Sequence, residues 1–189
     1  MGSSAFRRGS APSASDALSP LLALTAARLA TRVGPDGVAQ LLEDQPRQLW
    51  DAGLIALGLS HLERSARGAE LTVWHLRAEI AALHATAASA ADTDWRRVVA
   101  IYDHLLGLDP SPVVRLSRAI AVGQAAGAAA GLAALPRLDS NPYGEAARGV
   151  FLLKLGRAEE ARRHLGQALA LARTEPERRL MERRLRQAG

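Results

Sequence analysis

Apolar side chains recur every three or four residues along most of this chain, which is the spacing of a helix with one buried face. The clearest stripe lies near the middle of the chain, at successive intervals of 3, 4, 3 and 4 positions. Its members are Val73, Leu76, Ile80, Leu83 and Ala87. The pattern predicts a helix over about residues 69–88.

Caps, prolines and glycines divide the remaining apolar stripes into further helices. Asn141 before Pro142 and the capping box Thr174–Glu177 are strong start signals, and Gly156 marks a turn. The predicted helices are Leu21–Thr31 after the Ser19-Pro20 cap, Arg47–Ala66, Ala69–Ala88, Ala128–Leu135 and Asn141–Leu155, with others beginning after Asp94, Asp109, Gly156 and Thr174. Apolar residues on two faces of Arg47–Ala66 indicate a buried helix. The stretch Leu41–Pro46 is predicted to be irregular.

One pair of predicted helices resembles a tetratricopeptide repeat. Leu155–Ala161 and Gln167–Leu169 match its turn and second helix, and Gly127 lies in an analogous place. The two glycines are 29 positions apart (156 minus 127), short of the usual repeat of about 34 residues. We expect antiparallel helix pairs stacked as a degenerate, tetratricopeptide-like right-handed superhelix.

Composition supports an all-α fold. The chain has 39 Ala and 30 Leu but 9 Val and 4 Ile, and Ala and Leu favour helices whereas β-branched residues favour strands. A length of 189 residues suits one domain. We assign residues 17–189 to a single helical repeat-like domain, and residues 1–16 to a disordered tail or a cloning remnant.

Several classes of protein are excluded by what the sequence lacks. With no cysteine, the chain cannot hold a disulfide scaffold, a thiolate zinc site, an iron–sulfur cluster or a cysteine nucleophile. No charge-free apolar run of about 18 residues is present, so no membrane span is predicted. The N-terminus lacks the apolar core of a signal peptide. We expect a cytoplasmic location.

Catalytic and cofactor chemistry finds no support. His75 and Glu79 share a helix face, as a metal-binding pair would, but no third or fourth ligand is identifiable. Asp92 and Asp94 are better explained as helix caps than as an acid–base pair. No glycine-rich phosphate loop follows a strand. The sequence therefore predicts a non-enzymatic chain without a cofactor or a metal.

Positive charge is concentrated at the C-terminal end. Arg148–Gly189 holds 11 cations and 5 anions, whereas the first 147 residues hold 13 cations and 14 anions. The cations of the final helix are Arg178, Arg179, Arg183, Arg184 and Arg186. One interpretation is the solvated face of a capping repeat, and the other is a docking surface for an acidic protein or nucleic acid. Interleaved glutamates and the absence of aromatic residues disfavour direct DNA binding.

Eight stretches, taken in order, resemble the C-terminal tetratricopeptide-like extension of a group of extracytoplasmic-function sigma factors of RNA polymerase. The match covers Leu21 to the C-terminus. The stretches are Gly37–Gln45, Leu49–Asp51 with Leu54–Ala56, Ile80–Ala85, Asp92–Trp95, Ile101–Asp103, Ser111–Val114 with Leu116 and Arg118–Ala119, Leu155–Arg157, and Glu177–Leu180. Two departures are Ser117, where the family has Asn, and Arg77–Ile80, where it has Gln-Ala-Ala-Ile.

The resemblance implies a regulatory role. In such sigma factors the extension governs activity through contacts with the sigma regions or core RNA polymerase, in place of a separate anti-sigma factor. The helices that bind polymerase and read promoter elements have no counterpart in these 189 residues. We therefore expect an excised domain or a truncated relative, which cannot act alone as a complete sigma factor.

The leading hypothesis is a protein-interaction domain that modulates transcription initiation. Its candidate contact residues are Asp92, Asp94, Arg118, Arg178, Arg179, Arg183 and Arg184. One alternative is a small-molecule sensor with a pocket between helices, near His75, Glu79 and His84. Others are a stand-alone helical scaffold and nucleic-acid binding through the last helix. The oligomeric state stays open.

Overall fold

Nine α-helices form most of the structure, a computed structural model that describes residues 14–65, 71–137 and 141–188. They are α1 (Ala14–Ala26), α2 (Ala52–Ser65), α3 (Val73–Thr86), α4 (Trp95–Leu108), α5 (Pro112–Ala126), α6 (Ala128–Ala134), α7 (Pro142–Lys154), α8 (Ala158–Leu171) and α9 (Glu175–Gln187). Short 3₁₀ turns lie at Leu29–Thr31 and Arg47–Leu49. Within these ranges no strand forms beyond an isolated bridge between Val33 and Ala39. The all-α prediction is confirmed.

Most helices pack mainly on their neighbours in the chain, although α3 packs most extensively on α1. The principal core lies where α3, α4 and α5 meet, and it includes the predicted stripe residues Leu76 and Ile80. The other buried members are Val98, Ile101, Leu105, Val114 and Ala121. Spacings of three and four residues bring these side chains to one face of each helix, and burying those faces together drives the helices into contact.

Capping side chains fix the helix starts that the sequence signals predicted. The Asp94 carboxylate accepts a hydrogen bond from the backbone N–H of Arg97 at 2.9 Å. Asn141 accepts one from Gly144 at 2.9 Å. Thr174 and Glu177 bond each other's backbone N–H groups, completing the capping box of α9. These bonds satisfy amide groups that have no partner within the helix.

Glycine residues permit a tight turn and a close helix crossing in the second half of the chain. Gly156 has a φ of +73° and turns the chain between α7 and α8, as predicted. Gly123 of α5 and Gly131 of α6 lie against each other and against the ring of Phe151 on α7. A methyl group at Gly123 would lie 2.3 Å from Phe151 Cε1. The close crossing of α5 and α6 therefore depends on the missing side chains.

The first third of the chain departs from the sequence-based expectation. Helix α1 begins at Ala14 and contains Pro20 in its interior, rather than starting there. Pro20 is fully buried, so packing offsets the backbone hydrogen bond that a proline cannot donate. Residues 1–13 of the predicted 1–16 tail lie outside the described residues.

Helix α2 is shorter and more exposed than predicted. It begins at Ala52, because Trp50 adopts an extended backbone and is buried ahead of the helix. Gly58 packs against Leu24 of α1, whereas Leu57 remains 48% exposed. The prediction of burial on two faces was therefore wrong, because α2 packs mainly on α1 and less extensively on α3.

No helix in the described ranges is long and apolar enough to cross a membrane.

Candidate functional site

Residues 33–45, which we call the strap, join the first helices to the last. The strap begins as a tight turn, in which the N–H of Gly34 donates to the carbonyl of Val38 at 2.8 Å. The Gln40 N–H donates back to the Arg32 carbonyl at 2.9 Å. Asp36 accepts a further bond from the Val38 N–H at 3.0 Å.

The tip of the strap lies on α8 and α9. Val38 is buried in an apolar cluster with Ala168, Leu180 and Met181. The Ala39 N–H donates to the carbonyl of Pro176 at 3.3 Å. Arg179 donates to the Asp36 carbonyl at 3.1 Å and also pairs with Glu175 at 2.9 Å. Apolar burial and backbone bonds thus tie the strap to the start of the last helix.

Arg184 provides the electrostatic contact between the strap and α9. Its guanidinium lies 3.3 Å from the Asp44 carboxylate and 3.8 Å from that of Glu43. The Arg184 side chain is only 18% exposed, so solvent screens these pairs less than it screens surface pairs. Gln124 of α5 donates to the other oxygen of Glu43 at 2.6 Å. The acidic pair therefore bridges α5 and α9.

The end of the strap is fixed by a buried polar network. Trp50 donates from its indole N–H to the hydroxyl of Thr31 at 3.0 Å, and Gln45 contacts the same hydroxyl at 3.3 Å. Arg47 follows and donates to the carbonyls of His84 and Ala87, the latter at 2.9 Å. Arg47 thus satisfies carbonyl groups at the C-terminus of α3 that have no partner within the helix.

A cavity of about 460 Å³ lies between the strap and the helices α4, α5, α7 and α9. We call it the strap cavity. Its lining is mainly apolar and includes Leu41, Ile120, Ala147, Val150 and Leu180. The ionisable groups at its wall are His84, Tyr102, Tyr143, Lys154, Glu43, Glu177 and Arg184. A volume of this size falls within the range of small-molecule sites in proteins.

A second cavity of about 280 Å³ adjoins it, between α1, α3, α4 and α5. Leu42, His84, Tyr102 and Ser117 line both cavities. Leu42, on the strap, therefore stands at the boundary between the two spaces.

Burial perturbs the ionisable groups at this boundary. Burial, reinforced by Arg47 and Arg28, lowers the pKa of His84 to about 4, so its imidazole is neutral at pH 7. The Nδ1 atom of His84 is buried and has no hydrogen-bond partner among the described residues. Burial raises the pKa of Tyr102, which therefore stays protonated. Both groups are neutral hydrogen-bonding sites.

The arginines of the predicted cluster differ in their contacts, and only Arg184 is largely buried. Arg179 and Arg184 bind the strap, as described above. Arg178 is exposed and pairs with Glu175 at 3.7 Å. Arg183 makes no hydrogen bond or ion pair with the described residues, and nothing in the structure assigns it a role. Of these four arginines, Arg184 pairs with strap carboxylates, whereas Arg179 bonds a strap backbone carbonyl and pairs with Glu175 of its own helix.

The other predicted contact residues do not join this site. Asp92 and Asp94 lie in the turn before α4, where Asp92 accepts from Ser89 at 2.6 Å and Asp94 caps the helix. Arg118 of α5 pairs with Asp103 of α4. The three residues are therefore occupied by local contacts, and the structure leaves their role in binding a partner untested.

The histidine pocket suggested by the sequence is not assembled as expected. His75 is buried and bonds Thr72 at the start of α3, whereas Glu79 pairs with the exposed Arg97. His84 lines both of the cavities described above, and His75 and Glu79 line neither of them. Among the described residues no group of three or more metal-binding side chains comes together. Sequence reasoning missed Glu43, Asp44 and Gln124, because an acidic pair in an irregular segment carries no sign of its partner 140 positions away.

Comparison with known proteins places the chain beside relatives without an assigned activity. A family of unknown function, DUF6596, matches residues 6–66, which include the strap. An uncharacterized protein of Rhizobium meliloti (strain 1021) is 40% identical over 159 residues, which make up 82% of this chain and 38% of the relative. No solved structure matches the chain. The chain thus spans about two fifths of the length of the curated relative that it matches.

Proposed function

We propose that this chain is a non-enzymatic regulatory domain of an extracytoplasmic-function sigma factor, which modulates transcription initiation by contacting the sigma regions or core RNA polymerase. The strap and the last helix form its internal framework. The partner-binding surface lies on the first helices, which leave apolar side chains exposed.

The observation that carries the proposal is this exposed apolar surface. Of the twelve large apolar side chains that are exposed among the described residues, seven lie on α1, α2, the start of α3 and the segments between them, and five lie on or beside later helices. The seven are Leu22, Leu29, Val33, Leu49, Leu57, Leu71 and Trp74. Exposed apolar side chains in such number favour contact with another protein surface. By contrast, Glu43 and Asp44 satisfy Arg184 internally, which weakens the case for an acidic partner at α9.

Two further facts support the proposal. Eight stretches resemble the sigma-factor extension in the same order along the chain. The chain matches less than half of a longer relative, as expected of one part of a larger regulatory protein. A tetratricopeptide-like superhelix is part of the same proposal, supported by the packing of consecutive helices and by the glycine turn between α7 and α8.

A binding experiment tests the function directly. The purified chain would be immobilised and exposed to core RNA polymerase, to isolated sigma regions, and to the two together. We expect saturable binding that is reduced at least about tenfold by the double substitution Leu49→Ser with Leu57→Ser, because both residues are exposed. The matched control is Val113→Ser, an exposed apolar residue on α5. Absence of binding by the folded wild-type chain would contradict the proposal and favour a stand-alone scaffold.

A further inference from the structure

The strap covers a space that the chain does not fill. The space is partly open to solvent, since exposed residues such as Ile120, Tyr143 and Lys154 line it together with buried ones. Its volume of about 460 Å³, beside the half-buried Leu41 and Leu42, is large enough for a small molecule. An occupant would remove apolar wall area from water, which favours binding.

The charges at the cavity wall balance. Arg184 is paired with Glu43, and Tyr143 donates a hydrogen bond to Glu177, which lowers the pKa of that carboxyl group. Lys154 is exposed at the end of α7. Glu43 and Asp44 compensate the charge of Arg184, although its buried Nε atom has no hydrogen-bond partner among the described residues. An unpaired charge brought into an apolar site is costly.

Polar groups at one end suit a neutral hydrogen-bonding partner. His84 lines this end and is uncharged, and its Nδ1 atom is buried without a partner among the described residues. Tyr102 and Ser117 lie at the same end, at the boundary with the second cavity. A neutral imidazole can donate or accept one hydrogen bond. This end of the cavity is suited to a hydroxyl or a carbonyl group.

We propose that the strap cavity binds a neutral, chiefly apolar small molecule that carries one hydroxyl or carbonyl group. A peptide segment fits less well, because its polar backbone would lie unpaired against the apolar wall. The site is independent of the proposed regulatory function, since it is formed entirely by this chain.

Three ten-carbon probes that differ only in their head group test the ligand class: 1-decanol, decanoate and decylammonium. We expect 1-decanol to raise the melting temperature by about 5 °C or more at a hundredfold excess over its dissociation constant. The two charged probes are expected to bind at least about tenfold more weakly. Tighter binding of either charged probe would overturn the assignment, as would the absence of a shift with all three.

A filled cavity supplies the matched control. Ala147→Phe places a ring in the cavity, whereas Ala56→Phe places the same ring on the exposed face of α2, away from both cavities. Loss of the 1-decanol shift in Ala147→Phe alone is the expected result, with circular dichroism showing that both variants remain folded. Equal shifts in the two variants would place the binding elsewhere. A wild-type dimer converted to a monomer by Ala147→Phe would make a second copy the occupant and overturn the proposal.

Discussion

The guanidinium of Arg184 lies 3.3 Å from the carboxylate of Asp44, which precedes it by 140 positions in the chain. This contact ties the last helix to the loop that follows the first. Most other helix contacts join helices that are close in the sequence. The strap therefore links the N-terminal and C-terminal parts of the chain. Loss of the contact between Arg184 and Asp44 should therefore destabilise both α9 and the strap.

Replacing Arg184 with glutamine should destabilise the chain by about 1–2 kcal/mol, since it removes charge-assisted contacts to Asp44 and Glu43. Urea denaturation measures the change. Arg183→Gln is the matched control, expected to cost less than about 0.5 kcal/mol. A double-mutant cycle with Asp44→Asn should give a coupling free energy of about 1 kcal/mol that decreases in high salt. If the two substitutions lower the free energy of unfolding additively, the interaction between Arg184 and Asp44 contributes nothing to stability.

Replacing Gly123 with alanine should destabilise the chain by about 1–3 kcal/mol, because the new methyl group would overlap Phe151 and approach Gly131. Thermal denaturation measures the change. The control is Gly166→Ala in α8, where a Cβ meets nothing within 4 Å. That variant should gain up to about 1 kcal/mol from helix propensity. Equal effects at the two positions would refute a tight crossing of α5 and α6.

Stability should fall as the pH is lowered from about 6.5 to 4, in part because of His84. Its pKa is about 4 in the folded chain against 6.5 ordinarily, so the unfolded chain binds more protons in that interval. The lowered pKa of His84 therefore adds about 3 kcal/mol to the free energy of unfolding above pH 6.5, relative to its value below pH 4. His84→Phe, which preserves an aromatic ring beside Trp95, should flatten the profile of unfolding free energy against pH. A profile unchanged in this variant would exclude His84 as a source of the acid sensitivity.

Substitutions at Asp94 separate a cap from a contact residue. Asp94→Ala should cost about 1 kcal/mol, because the Arg97 N–H loses its acceptor. Asp94→Ser keeps an acceptor and should restore most of the stability. If Asp94 only caps α4, Asp94→Ser also binds polymerase like the wild type. Weakened binding with restored stability would instead establish the direct contact that the sequence suggested.

Local signals predicted much of the helical framework. Caps at Asp94, Asn141 and Thr174 and the turn at Gly156 lie where the sequence placed them, because each depends on residues only a few positions apart. The errors lie in the first third. There, the burial of Pro20 and Trp50 depends on distant contacts that override the local start signals.

The sequence by itself determined the all-α class, the core stripe of α3 and the concentration of arginine on the last helix, since helical periodicity and charge are local properties. Tertiary structure alone decided which arginines face a partner. Arg184 is largely buried against the strap and Arg179 reaches it from the surface, whereas Arg178 contacts only its own helix. It also created the strap cavity, because a cavity depends on how segments distant in the sequence pack together. The spacing of residues along the chain does not predict such packing.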